Sequence, residues 1–220
     1  MIKINNDEVF GFEQAIRGMR NPKNSWDKSD SIYGTYWGEI DGHKCLDNEG
    51  FVIGNNDLKL MKVLRNAGTD HRKYMRMITV YLDITAPLYW WKEFDTYKVG
   101  TVANSCSTMH KIHANVIDTD DFSTEHLDGD SFEILEDLCN LLNCCRDLFL
   151  QTKDKKYWWQ MIQLLPSSYN QKRTVMLNYE VLANMYKSRK NHKLDEWIDF
   201  CKWIETLPYS ELITGKECAE

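Results

Sequence analysis

Residues 86–110 read APLYWWKEFDTYKVGTVANSCSTMH. The stretch places aromatics, both signs of charge and then a run of small hydroxyl residues directly behind a strand, which ordinary core sequence does not do. Upstream, Arg76 to Ile84 alternates, with Ile78, Val80, Leu82 and Ile84 on one side and Met77, Thr79, Tyr81 and Asp83 on the other, the pattern of a half-buried strand. Pro87 suits the first turn of a helix, which is expected to run to Lys98 and to stop at Gly100.

Working outward, Phe12 to Met19 reads as a short helix closed by Asn21-Pro22. Asn24 to Gly54, rich in Gly, Asp, Asn and Ser, reads as a loop with short strands. Asp57 to Ala67 reads as a helix with Leu58, Met61 and Leu64 on one face and Gly68 as its stop. Phe132, Leu135, Leu138, Leu142, Cys145 and Phe149 recur at helical spacing, so Ser131 to Leu150 is one long amphipathic helix. Gln151 to Lys156 is a turn. Tyr157 to Leu165, Val175 to Tyr186 and Leu194 to Glu205 are expected as further helices. Helices dominate and one strand is strong, which gives an α+β class.

At 220 residues with 43% apolar content, the chain can bury a core without disulfides or metal, and residues 1–220 are expected to form a single domain. A net charge of -6 with scattered basic residues argues against a polymeric nucleic-acid partner and leaves room for a small anionic ligand. The opening MIKINNDEVFGFEQAI has no long apolar region, and no window approaches the length of a membrane span, so no membrane partner is expected. Seven cysteines, among them the adjacent Cys144 and Cys145, show no disulfide framework, which suits a reducing, cytoplasmic setting. His110, His113 and Cys106 can be drawn as a metal site but lack a clear partner pair, so no metal is assigned. Nothing near Cys106 in sequence identifies a base that would make it a nucleophile. Trp90 and Trp91 are adjacent and so cannot share one helix face, which leaves one of them to meet something other than the main core.

The pattern Thr96-Tyr97-Lys98-x-x-Thr101, followed by Asn104-Ser105-x-Ser107, resembles the signature region of the flavin-dependent thymidylate synthases, the ThyX family. Lys98, Thr101, Asn104 and Ser107 keep the chemistry of their counterparts; Thr96, Tyr97, Ser105 and Met109 do not. Upstream, His71 matches one position of the family's histidine-bearing flavin motif, and Ala15 to Arg20 sits where the family has an Ala/Arg-rich helix. Downstream, Leu164-Leu165-Pro166 resembles a family Leu-Pro element, and Asn178, Asn184 and Arg189 fall at the family's spacing for two asparagines and an arginine. The similarity covers about residues 10 to 205. Three family arginines correspond to Thr96, Met109 and Ile162, none of which can make a bidentate pair with phosphate.

The resemblance implies a ThyX-like fold, with a central, mainly antiparallel sheet flanked by helices and a long helical C-terminal half. It also implies a reaction: methylation of dUMP, or a related deoxypyrimidine monophosphate, at C5. The one-carbon unit would come from methylenetetrahydrofolate and the hydride from reduced FAD, with NADPH as reductant. His71, Lys98, Thr101, Asn104, Asn178 and Asn184 would contact the flavin, Ser107 and Arg189 the nucleotide, and Arg189 would act as the catalytic residue beside the pyrimidine carbonyl. Family members resemble homotetramers with sites built between chains, so a homo-oligomer is implied. Two other readings stand beside this one. In one the fold serves as a catalytically silent module that binds a nucleotide or a partner protein; in the other it keeps flavin for a different C5 modification. Arg189 and His71 also read as ordinary surface residues, at a helix end and after a helix stop respectively.

Overall fold

The computed structural model describes residues 2–35 and 49–215. Four strands, β1 (Lys3–Phe10), β4 (Thr79–Pro87), β5 (Val102–Ser105) and β6 (Asn170–Asn178), form a sheet in the order β1-β4-β6-β5. β2 (Ile32–Thr35) and β3 (Glu49–Val52) make a separate antiparallel ribbon, with Ile32 opposite Val52. The helices are α1 (Phe12–Arg20), α2 (Asn55–Asn66), α3 (Leu88–Phe94), α4 (Thr108–Lys111), α5 (Gly129–Thr152), α6 (Lys155–Leu164), α7 (Tyr179–Arg189), α8 (Asp195–Glu205) and α9 (Glu211–Thr214). The chain is thus α+β, as its patterning predicts. Among the described residues no helix is long and apolar enough to cross a membrane. The part of the expected Asn24–Gly54 loop at 36–48 lies outside the described residues.

The chain divides into two compact units. The first comprises Met1–Asn5, Asp83–Thr96 and Ala103–Thr174. Its two longest helices, α5 and α6, pack against each other, sealed by Ile112, Ile117, Phe122, Leu135, Cys139, Leu142, Cys145 and Met161. Asp128 starts α5 by accepting the Ser131 N–H at 2.9 Å. Trp90 and Trp91 are both fully buried here, against the expectation that one would leave the core. A short helix makes this possible. Trp90 stacks on Phe94, while Trp91 donates its indole N–H to the Gln171 carbonyl and lies under the Arg173 guanidinium, 4.2 Å from the ring centre.

The second unit comprises Asn6–Leu82, Tyr97–Val102 and Val175–Glu220. Its interior includes Ile16, Met61, Met75, Ile78, Val80, Leu82, Val175, Leu177, Trp197 and Phe200. Gly11 enters α1 with φ +97°, and a Cβ there would fall 2.1 Å from the Met77 carbonyl oxygen, so this close approach requires glycine.

Several element boundaries differ from the sequence reading; the strand expected from Arg76 begins at Thr79, because Arg72–Met77 forms a 3-10 turn. Pro87 closes β4 in an extended conformation and caps α3 instead of entering its first turn. α3 ends at Phe94, not Lys98, because the Thr96 N–H and hydroxyl both donate to the Glu93 carbonyl, a local bond that competes with helix continuation. Val175 to Asn178, expected in a helix, completes β6, with Val175 and Leu177 buried on alternate positions. The helix after it is apolar nearly all round (Tyr179, Val181, Leu182, Ala183, Met185 and Tyr186 are buried), which hides the change of period in the sequence.

Candidate functional site

Helix α7 organises the second unit's polar surface. Asn178 caps it: the side-chain oxygen accepts the Val181 N–H at 3.1 Å, satisfying one orphan donor of the first turn. Gly100, at φ +77°, comes so close that a Cβ would lie 2.8 Å from the Asn178 amide nitrogen and 3.1 Å from Val181. At the other end of α7, the Arg189 Nε donates to the Tyr97 hydroxyl at 3.0 Å, and Nη1 lies 3.0 Å from the His192 Nε2. The Arg189 guanidinium also lies over the Trp197 ring at 4.7 Å. Segment 97–101 and helix α7 are therefore in contact near both ends of the helix. Lys98 on that segment is exposed, and the Thr101 hydroxyl is buried with no hydrogen-bond partner among the described residues.

Between these ends lies an ion cluster. Glu180 accepts from Arg76 Nε and from Arg72 Nε, the latter at 3.3 Å. Arg72 Nη2 donates to the Asn184 side-chain oxygen at 3.0 Å. Glu180 and Asn184 are one helical turn apart, so Arg72 bridges a single face of α7. Burial on its own would raise the Glu180 carboxyl, but the Arg76 and Arg72 guanidiniums outweigh it and hold the group below its ordinary value of 4.5. His71 is exposed at the start of the 3-10 turn Arg72–Met77. The sequence reading singled out Asn178, Asn184 and Arg189 but not the groups that orient them. Tyr97 was set aside as a mismatch, and Glu180, Arg72 and His192 carry no spacing signal because their contacts are long-range.

Asn104 and Ser107 belong to the first unit. Asn104 is exposed on β5, and Ser107 caps α4 by accepting the His110 N–H at 3.2 Å. Ser107 lines a cavity of about 430 Å³ with Thr108, Lys111, Asn170, Gln171 and Lys172. Its rim is tied by Gln171 Nε2, which donates to the Cys106 carbonyl at 3.0 Å and the Thr108 hydroxyl at 3.1 Å. Lys172 pairs with Asp83 at 2.9 Å, and the carboxylate raises the lysine's pKa.

Of the positions matching family arginines, Thr96 turns its hydroxyl to the Glu93 carbonyl, Met109 is exposed, and Ile162 packs against the α5–α6 core. Among the described residues no group of three or more His, Cys, Asp or Glu is placed to hold a metal.

The fold is that of the ThyX-type flavin-dependent thymidylate synthases. The ThyX of Helicobacter pylori complexed with FAD and dUMP superimposes with a TM-score of 0.67 at 16% identity, over 99% of this chain and 100% of that one. A second structure of the H. pylori protein with FAD and dUMP gives 0.68 at 15% identity, over 99% of both chains. The UMP/dUMP methylase PolB of Streptomyces cacaoi, bound with 5-Br dUMP, gives 0.61 at 11% identity, over 98% of this chain and 95% of that one. No protein-family model and no curated protein matches the sequence. At these identities the likeness is one of fold.

Proposed function

We propose that this protein is a divergent flavin-dependent enzyme of the thymidylate synthase kind, binding a deoxypyrimidine monophosphate and methylating it at C5. The observation that carries this reading is the contact of segment 97–101 with helix α7: two stretches matched separately in sequence meet at Gly100–Asn178 and at Tyr97–Arg189. The solved structures of the same fold, two with FAD and dUMP and one with 5-Br dUMP, support the ligand class.

The donors present suit a flavin. Asn184 offers its amide while Arg72 holds its oxygen, Lys98 and His71 are exposed, and the buried Thr101 hydroxyl is an orphan. Asn178 is already committed to capping α7, so its part is to fix the helix start that carries Glu180 and Asn184. When bound, FAD would supply the hydride that, with the one-carbon unit of methylenetetrahydrofolate, completes the methyl group, and NADPH would restore the reduced flavin. Arg189 would present a fixed positive charge to the pyrimidine carbonyl as electron density builds at C5; Tyr97, His192 and Trp197 hold it so that little reorganisation is needed. Ser107, whose oxygen accepts from His110 N–H, retains its hydroxyl hydrogen to donate to phosphate, with Lys111 beside it in the same cavity.

Incubating the protein with FAD, NADPH, methylenetetrahydrofolate and dUMP and weighing the nucleotide by mass spectrometry tests this directly. Formation of dTMP supports it. Absence of any C5-modified product across dUMP, UMP and dCMP sinks it.

A second reading, a silent nucleotide-binding module, is favoured by the missing guanidiniums at Thr96, Met109 and Ile162. It predicts that dUMP alone stabilises the protein, by about 2.7 kcal/mol at a hundred times its dissociation constant, with no turnover.

A homo-oligomer is part of the same proposal. Ile134 and Leu141 lie two helical turns apart on the outer side of α5, 70% and 47% exposed. Acidic Glu133, Glu136 and Asp137 flank Ile134, and Lys153, Lys155 and Lys156 lie at the far end of the helix. An antiparallel copy would bring the two ends together. Ile134→Glu with Leu141→Glu should lower the mass seen in sedimentation.

A further inference from the structure

A second concave site lies in the second unit, apart from every residue assigned above. It is a cavity of about 390 Å³, within the range of small-ligand sites, between helix α1 and the β2–β3 ribbon. Its walls are Ile16 and Ile32 together with the rings of Trp26, Tyr33 and Phe51. Two of these rings sit in the open, Trp26 at 51% exposed and Tyr33 at 70%, and Phe51 is half-buried. Large exposed aromatics that gather around one concavity mark a surface that stacks on something flat.

The rings are oriented. Trp26 donates its indole N–H to the Asn21 side-chain oxygen at 2.8 Å, and Tyr33 meets Phe51 edge-on with centroids 5.3 Å apart. The floor is held as well. Arg20, Ser29 and Ser31 all donate to the buried Asp57 carboxylate, and Arg20 Nη1 donates to the Ser25 carbonyl at 3.1 Å.

Two charged groups at the cavity are left for a ligand. Glu13 accepts from the Tyr33 hydroxyl at 2.7 Å through one oxygen, which leaves its other oxygen. Arg17 lies one helical turn further on and has no hydrogen-bond or ion-pair partner among the described residues. A carboxylate acceptor and a planar guanidinium fork, side by side over aromatic walls, complement a planar ring that shows N–H donors next to oxo and ring-nitrogen acceptors. Guanine has that pattern: its amino edge donates, and its O6 and N7 accept a bidentate arginine.

We propose that this cavity is a binding site for a guanine-type base. The base would stack on Trp26 and Tyr33, direct its N–H edge to Glu13 and turn its oxo and ring-nitrogen acceptors to Arg17. The site shares no residue with those assigned to flavin or nucleotide, while Ile16, Arg17 and Arg20 come from the stretch that resembles the family's Ala/Arg-rich helix.

Titration of the full chain with guanosine, followed by calorimetry and by quenching of indole fluorescence, tests the assignment, with adenosine, uridine and 1-naphthol as controls. The expected result is one saturable guanosine site with weaker binding of adenosine and uridine. Glu13→Gln and Arg17→Gln should each weaken guanosine about ten- to a hundredfold, the loss of one hydrogen bond to a charged group. Trp26→Ala should abolish the quenching, and all three variants should keep the wild-type Tm. Failure of guanosine to bind would overturn the proposal. So would naphthol binding as well as guanosine with affinities indifferent to Glu13 and Arg17, which would mark an apolar patch only.

Discussion

Replacing Asp57 by asparagine should cost this protein more stability than any surface change, and the geometry says why. Asp57 is fully buried. One oxygen accepts Arg20 Nε and Nη2, each at 2.6 Å, and the other accepts the Ser29 and Ser31 hydroxyls at 2.6 Å and the N–H groups of Asp30 and Ser31 at 3.2 Å. Every neighbour is a donor. Whichever way an amide is turned, its NH₂ must face either the arginine or the serine cluster, and Arg20, only 4% exposed, is left as a buried cation without a counter-charge. Breaking a buried pair from one side costs about 3–5 kcal/mol. At about 2–4 °C per kcal/mol for a chain of this size, Tm should fall by about 6–20 °C. Urea unfolding followed by circular dichroism gives the free energy, and hydrogen exchange should show the β2–β3 amides losing protection first. The double variant Arg20→Met, Asp57→Leu removes the unpaired cation but leaves the Ser29, Ser31 and Asp30 donors without their acceptor, so it should recover only part of the loss. An Asp57→Asn protein within 1 kcal/mol of wild type, or a double variant no better than the single, would refute the reasoning. The pH dependence has a definite sign. Burial alone would raise the Asp57 pKa, but the hydroxyls of Ser29 and Ser31 and the Arg20 guanidinium outweigh it and hold it below 3.8. The contribution is therefore complete above the unfolded carboxylate value and is lost as pH falls through the lower, folded one.

Gly100→Ala forces a Cβ into a left-handed conformation and against the Asn178 amide, so it should destabilise by about 1–2 kcal/mol for the backbone, with a further loss if the α7 cap is displaced, read as a lower denaturation midpoint. Arg189→Lys keeps the charge but cannot hold Tyr97 and His192 at once; under the proposed function kcat/KM should drop about ten- to a hundredfold while Tm moves little. Met109→Arg returns a guanidinium to an exposed position where the family's pattern has one, and should tighten dUMP about tenfold or more in calorimetry; no gain would mean that the nucleotide is not held in that pose.

The sequence made the α+β class and the elements with clean periodicity legible. α5 was read almost whole because its buried positions repeat at helical spacing, and β4 because Ile78, Val80, Leu82 and Ile84 alternate into the core. β6 was read as helix because α7, buried nearly all round, blurs the transition at Asn178. β1 passed unnoticed, since its pattern is mostly exposed. At the site, spacing picked out Asn178, Asn184 and Arg189. What fixes them is non-local: Arg72 reaches Asn184 across more than a hundred residues, and Tyr97 reaches Arg189 across ninety-two. The cavity beside α1 was invisible for the same reason, because Trp26, Tyr33 and Phe51 meet Arg17 only once the ribbon has folded onto the helix.

The measurement that bears most directly on the central claim is an FAD titration of the purified 220-residue protein, followed by its visible absorbance and by quenching of flavin fluorescence. The account predicts saturable binding at one FAD per chain, a perturbed flavin spectrum, and weaker binding when Asn184 is changed to Ala or Arg72 to Gln. Free-flavin spectra at every ratio, unchanged by either substitution, would contradict it.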